Sequence, residues 1–273
     1  MTSAVAPPSP VEAELFHGKL ATGRNRPVRI TARGAEGPVD CVVKLSSAMN
    51  PPETAVISYL CEWLGTAIAR LLGIPTPRPY EVAITQPFAD AIVDPEWREL
   101  ARRSIGSAFG SEHVGGAGSI TQWTPELPSH ELCLPACDLI GFDVFIQNVD
   151  RRAGNPNLFV RRKELIAYDH GEAFAFLWDF RGPFSSVEDP MFEMLEQHAL
   201  RGWVHGYQAS LERFRENLEL LTDELLDSVI EATPKRWQVG IASGKLEQVV
   251  EFLKRRRDAA GKWLPQVEAW LQR

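Results

Sequence analysis

The spacing of apolar residues changes along this chain, and that change limits the folds open to it. Early on the period is two. In "VRITARG", Val28, Ile30 and Ala32 alternate with Arg29 and Thr31, as in a half-buried strand. The turn "AEGPVD" and the run "CVVKLSS" complete a predicted pair of strands. Late in the chain the period is helical: "LERFRENLELLTDELLDSVIEA" and "KLEQVVEFLKRRRDAAGKWLPQVEAWLQ" are both amphipathic. Strands gathered early and helices late predict an α+β protein with two lobes. A length of 273 residues is enough for both.

The first half also holds one long predicted helix, "ETAVISYLCEWLGTAIARLLGIPTP". Ile57, Leu60, Cys61, Leu64, Ile68, Leu71 and Leu72 form its apolar stripe, and Gly73 followed by Pro75 stops it. "YEVAITQ" and "AFGSEHVGGAGS" read as strands, the second ending in a Gly-rich corner, with a short helix at "DPEWRELARRS" between them. "SHELCLPACDLIGFDVFIQN" reads as a helix with Pro135 near its start or at a kink. The expected divisions are a loose, Pro-rich tail over 1–12, a β-rich N-terminal lobe over 13–120 and a mostly helical C-terminal lobe over 121–273.

Composition narrows the partners. A net charge of -7 argues against direct nucleic-acid binding, because phosphates call for a basic surface. The basic run Lys254 to Arg257 reads as a solvated helix face. Cys133 and Cys137 lack the second ligand pair of a zinc finger, so they, with Cys41 and Cys61, are expected as buried reduced thiols. Trp203, Trp237, Trp263 and Trp270 are expected in packing between helices. The start "MTSAVAPPSPVEAEL" has no basic opening and no apolar core, and no apolar run approaches the roughly 20 residues that span a bilayer. The expected setting is the cytoplasm, away from membranes.

The chemistry is concentrated where the two patterns meet. "NVDRRAGNPNLF" places Asp150 and Asn155 five positions apart in a short polar loop between apolar runs, and "DHG" places Asp169 in a second loop. Asp and Asn are also favoured turn formers, so either loop alone fits a structural role. Together they suit a hard cation such as Mg²⁺, which takes oxygen ligands and keeps part of its water shell. In phosphoryl transfer one Asp serves the attacking hydroxyl, while an Asn and another Asp hold the metal. The remaining parts occur in the same order. Gly23, Arg24 and Asn25 in "KLATGRNRPV" offer a phosphate loop, though it is no G-x-G-x-x-G. Lys44 in "CVVKL" offers a phosphate-binding cation on a strand. Glu62, better placed inside the helix than Glu53, offers its partner. Arg151 and Arg152 could stabilise phosphate charge, and at least one of them is expected to pair with a nearby carboxylate. His170 could help shape the loop of Asp169, but a packed or solvent-facing side chain is the expectation.

"NVDRRAGNPNLF" with "AYDHGEAF" resembles the D-R-x-x-x-N and D-x-G elements of atypical kinases, and most of all the small HipA-like kinase domains of bacteria. "VVKL", "EWLGTAIARLLGIPTP" and "FGSEHV" resemble that family's Lys strand, Glu helix and hinge-side strand, so the likeness covers most of residues 16–260. It implies a two-lobed protein-kinase-like fold that uses ATP and Mg²⁺ to phosphorylate a Ser or Thr of a protein substrate, with a regulatory protein as a further partner. Asp150 would be the catalytic base, Asn155 and Asp169 the magnesium ligands, Lys44 the phosphate contact and Glu62 its partner. Adenine would meet the backbone of a hinge at Glu112, His113 and Val114. Phosphatidylinositol kinases share the D-R-x-x-x-N core, so a lipid or small-molecule kinase is one alternative. A nucleotide-holding pseudokinase that acts as a binding module is another.

Overall fold

A computed structural model of the chain describes residues 4–20, 25–114, 120–124, 130–178, 187–204 and 209–273. The protein is α+β, with a β-rich N-terminal part and a helical C-terminal part. Strands β1 (Ser9–Lys19), β2 (Val28–Gly34), β3 (Gly37–Val43), β4 (Pro79–Ile84) and β5 (Gly106–Glu112) close into a barrel in the order β1-β2-β3-β5-β4. Closure comes from a parallel pairing of β1 with β4, Val11 opposite Val82, in an otherwise antiparallel set. The alternation in β2 works as the sequence predicts: Val28, Ile30 and Ala32 are buried and face Val43, Cys41 and Val39 across the pair. Gly110 in β5 lets the interior close, since a Cβ there would come within 2.6 Å of Val82 Cγ2 and 3.3 Å of Val43 Cγ2.

Three helices accompany the barrel: α1 (Ala55–Leu71), α2 (Gln86–Ala91) and α3 (Pro95–Arg103). Helix α1 is buried nearly all round, including its polar Ser58, Glu62 and Thr66. It ends as expected at Gly73, whose φ of 73° only glycine adopts without strain. Helix α3 starts on a capping Asp94, whose carboxylate accepts from the amides of Glu96 and Trp97.

The C-terminal part opens with β6 (Ile120–Gln122) and α4 (Cys133–Phe145), followed by β7 (Leu158–Arg161) and β8 (Glu164–Ala167). The three strands form a separate antiparallel sheet, β6-β7-β8. Helices α5 (Phe192–Gln197), α6 (Arg201–Val204), α7 (Glu212–Glu219), α8 (Asp223–Ala232), α9 (Lys245–Asp258) and α10 (Ala260–Leu271) complete it. Each long amphipathic run of the sequence is thus two helices. Thr222 caps α8 by accepting from the Leu225 amide, and α9 breaks into α10 at Ala259.

Two expectations are corrected here. The stretch 1–12 is not a loose tail throughout. Residues 9–12 are the start of β1, Val11 is buried, and the Val5 amide donates to Ser228 Oγ of α8 at 3.2 Å. Pro10 lies within the strand, opposite Glu81 of β4. The basic run 254–257 is not a solvated face throughout either. Arg256 is fully buried. It donates twice to the Val144 carbonyl and to the carbonyls of Val187 and Asp189, and its guanidinium lies 4.9 Å from the Trp263 ring centre. Burial lowers its pKa to about 10. It satisfies the end of α4 from the side of α9. Lys254 and Arg257 do face solvent-side carboxylates.

All four cysteines are free and buried. Trp203 stacks near Trp123, Trp237 lies against Tyr59 and Phe109, and Trp263 packs with Phe145 and Phe214, all as core groups. Trp237 and Thr233 carry the C-terminal chain back onto α1, where Trp63 Nε1 donates to Thr233 Oγ1 at 2.9 Å.

Overpacking of the barrel follows from Gly110. Gly110→Ala should lower stability by about 1–3 kcal/mol in urea unfolding. Combined with Val82→Ala, which opens the contested space, the loss should be smaller than the sum of the two single losses.

Candidate active site

Lys44 stands one residue beyond β3, where its amide still bonds to the Phe109 carbonyl and its own carbonyl accepts from Tyr59 Oη at 2.6 Å. With its main chain fixed on both sides, the side chain reaches inward. Its ammonium donates to Glu62 Oε1 of α1 and, at 2.6 Å, to Asp169 Oδ1. Lys44 and Glu62 are buried, whereas Asp169 keeps 34% of its side chain open to the cleft. One cation thus serves two carboxylates brought by different elements. Burial and the Asp169 charge raise the pKa of Glu62, against the pull of Lys44. Asp169 is shifted the other way: burial opposes its charge, but Lys44 holds it down.

Asp169 has a φ of 57°, in the left-handed region that Asp tolerates better than most residues. It leads out of β8 into the "DHG" turn. The His170 amide donates to Glu62 Oε2 at 2.8 Å, so both oxygens of that carboxylate are engaged. The His170 side chain is fully buried, which lowers its pKa to about 3 and keeps the ring neutral.

The Asp150 loop follows α4. Asn155 Nδ2 donates to Asp150 Oδ2 at 2.6 Å, Asn157 Nδ2 approaches the same oxygen at 3.4 Å, and Arg152 donates to Oδ1 at 3.1 Å. Asn155 thus turns its amide nitrogen toward Asp150. Burial raises the pKa of Asp150, the Asp169 charge adds to this, and Arg152 and Lys44 oppose it. A carboxylate made more basic in this way suits a proton acceptor.

The loop is shaped by a group that the sequence reading passed over. Asp143 of α4 is fully buried. It accepts from Arg151 Nε at 2.6 Å and Asn148 Nδ2 at 2.8 Å, and it meets His198 Nε2 at 3.0 Å. Arg151 also donates to the carbonyls of Pro156 and Asn157, tying the two ends of the loop together. The expectation that one arginine pairs with a carboxylate holds for both, and Arg151 is wholly structural. The signal for Asp143 was a lone carboxylate inside the apolar run "IGFDVF". Nothing in the sequence pointed to His198.

The other expected residues are placed unevenly. Gly23 and Arg24 lie outside the described residues. Asn25 is in the turn between β1 and β2, which the Leu20 amide closes on the Pro27 carbonyl at 2.9 Å. Glu112 ends β5, with His113 and Val114 following. The Glu112 amide bonds to the Arg78 carbonyl and that of His113 to the Asp40 carbonyl, each at 2.8 Å. Two of the three hinge amides are therefore committed to the barrel.

The donor set fits a hard cation. Asp169 and the Asn155 carbonyl oxygen, the two expected magnesium ligands, are oxygen donors that could hold such an ion, and two carboxylates stand against the one buried ammonium of Lys44. Among the described residues no three or more His, Cys, Asp or Glu side chains are gathered as a metal site. None of the helices described is long and apolar enough to cross a membrane.

A family model described as HipA-like kinase matches residues 47–259, a stretch that holds Glu62, Asp150, Asn155 and Asp169 and begins just after Lys44. No curated protein matches the chain. Among solved structures the chain is similar to the proinflammatory kinase CtkA of Helicobacter pylori, at 10% identity over 96% of this chain and 98% of that one, with a TM-score of 0.48.

Asp143 gives a pH test. Burial works against its charge, but Arg151 and His198 hold its pKa down to about 2. In the unfolded chain an Asp titrates near about 3.9. Its contribution is therefore complete above that value and is lost as pH falls through the folded value, on the order of 2 kcal/mol in all. Urea unfolding at stepped pH should show this loss in the wild type and a flatter acid limb in Asp143→Asn.

Proposed function

Because the chain belongs to the HipA-like kinase family, we propose that it transfers the γ-phosphoryl group of ATP, with Mg²⁺, to a Ser or Thr hydroxyl of a protein. The observation that carries this reading is the convergence of Lys44, Glu62 and Asp169, with the paired Asp150 and Asn155 near enough that the Asp169 and Lys44 charges act on Asp150. When bound, ATP supplies the phosphoryl group, and Mg²⁺ neutralises charge on its phosphate oxygens. Lys44, kept in line by Glu62, contacts the α- and β-phosphates. Asp169 and the Asn155 oxygen hold the cation. Asp150 orients the incoming hydroxyl and accepts its proton, for which Arg152 gives up or shares its contact with Oδ1.

With the Glu112 and His113 amides committed, the adenine contact falls to Val114 and to hinge carbonyls. Gly23, Arg24 and Asn25 would offer backbone N–H groups to the phosphates. A protein acceptor is favoured over a lipid because a chain of net charge -7 is repelled by anionic membrane surfaces. A cytoplasmic setting and a regulatory protein partner belong to the same reading.

The test is purified protein with γ-labelled ATP and Mg²⁺, beside Asp150→Asn and Asp169→Ala, scoring label on protein bands, in a cell extract and on small molecules. Label should appear on a protein and fall by about 10²–10⁴-fold in both variants. Asp150→Asn should still bind ATP to within about threefold by calorimetry. Label confined to lipid or small molecules would replace the acceptor class. Absence of both transfer and Mg²⁺-dependent binding would overturn the reading.

A further inference from the structure

The Asp169 loop meets α1 along one face. Ser58, Glu62 and Gly65 are spaced by four and then three positions, so they share that face. Besides the bond from the His170 amide to Glu62, two close approaches cross it. A Cβ on Gly65 would lie 2.5 Å from His170 Cβ and 2.8 Å from its Cγ. A Cβ on Gly171 would lie 2.7 Å from Ser58 Oγ, 3.1 Å from Glu62 Oε1 and 3.2 Å from Lys44 Nζ. Both positions have to be glycine for loop and helix to come this near. On its other side the His170 ring meets Phe142 of α4 edge-on, with centres 5.7 Å apart at 84°.

Neither ring nitrogen of His170 has a hydrogen-bond partner, although the side chain is fully buried. Leaving two buried polar atoms unpaired is costly, so the ring is not held there by its nitrogens. What holds it is shape. Asp169 directly precedes it in a left-handed conformation that needs outside support. That support falls on His170: its amide on Glu62, its carbonyl accepting from the Ala173 amide at 2.9 Å, and its ring between α1 and α4.

We propose that His170 is a positioning residue: a wedge between Gly65 of α1 and Phe142 of α4 that sets the distance of α1 from the metal loop and so aligns Glu62, Lys44 and Asp169. The inference rests on the reading of Asp169 as the magnesium ligand. Its chemical content is that the wedge works as an apolar body, so Phe can replace the imidazole and Ala cannot. At position 65 no side chain is tolerated.

The experiment compares wild type, Gly65→Ala, His170→Ala and His170→Phe in two ways. Hydrogen exchange on the ligand-free chain should show protection across 169–173 reduced about tenfold or more in Gly65→Ala and His170→Ala, with α9 and α10 as in wild type. Calorimetry with ATP, with and without Mg²⁺, should show the Mg²⁺-dependent gain in affinity cut about tenfold in these two variants, while affinity without Mg²⁺ moves less than about threefold. His170→Phe should restore both readouts to within about threefold of wild type. Wild-type protection and Mg²⁺ response in Gly65→Ala would overturn the wedge. So would a His170→Phe chain that behaves like His170→Ala. Should Gly65→Ala not fold, the comparison of Phe with Ala at 170 decides alone. A wild type that binds no Mg²⁺–ATP would defeat the kinase reading, while the exchange data would still judge the wedge.

Discussion

The Lys44 ammonium is the interaction on which this structure turns. It sits where the barrel, α1 and the metal loop meet, and each of the three supplies one charged group: Lys44, Glu62 and Asp169. Taking such charges out of water is costly, and the cost is offset only when geometry and hydrogen bonding are both good. Here they are. The Glu62 carboxylate has a partner on each oxygen, and the Tyr59 hydroxyl fixes the Lys44 carbonyl. Removing one member strands the others, at a cost typical of broken buried pairs, about 3–5 kcal/mol. In the same cluster two carboxylates face one ammonium, and Asp169 is the member that stays partly exposed.

A second buried cluster has a different task. Asp143, Arg151, Asn148 and His198 contain no group open to the cleft. They give the Asp150 loop its shape, with Arg151 bridging from α4 to the carbonyls of Pro156 and Asn157. Two adjacent arginines therefore differ completely in role. Arg151 is locked in the interior, and Arg152 lies half-exposed against Asp150. The two clusters are joined at the exit of α4, where the Phe174 amide bonds to the Ile146 carbonyl and Arg256 satisfies Val144.

Much of this was legible in the sequence. Lys44, Glu62, Asp150, Asn155 and Asp169 stood out because polar groups between apolar runs are few and fell in a chemically meaningful order. The alternation of β2 and the stop of α1 at Gly73 followed from local rules. What stayed hidden depends on contacts distant in sequence. His198 meets Asp143 across 55 positions. Arg256 reaches Val144 across 112, so its neighbours in a basic run say nothing of its burial. The start of β1 lay within a Pro-rich stretch, and only its parallel pairing with β4 reveals it as a strand. The wedge at His170 was out of reach for the same reason. Gly65 gives no sign in the sequence that it is the seat for a side chain from another part of the chain.

The closure of the barrel has a bearing on how other molecules can approach. A ring of strands closed in this way offers an extended peptide little main chain to pair with, and what there is lies beyond the short seams, where β1 meets β4 over four residues and β3 meets β5 over three. The small sheet β6-β7-β8 is open, and its middle strand begins directly after the Asp150 loop.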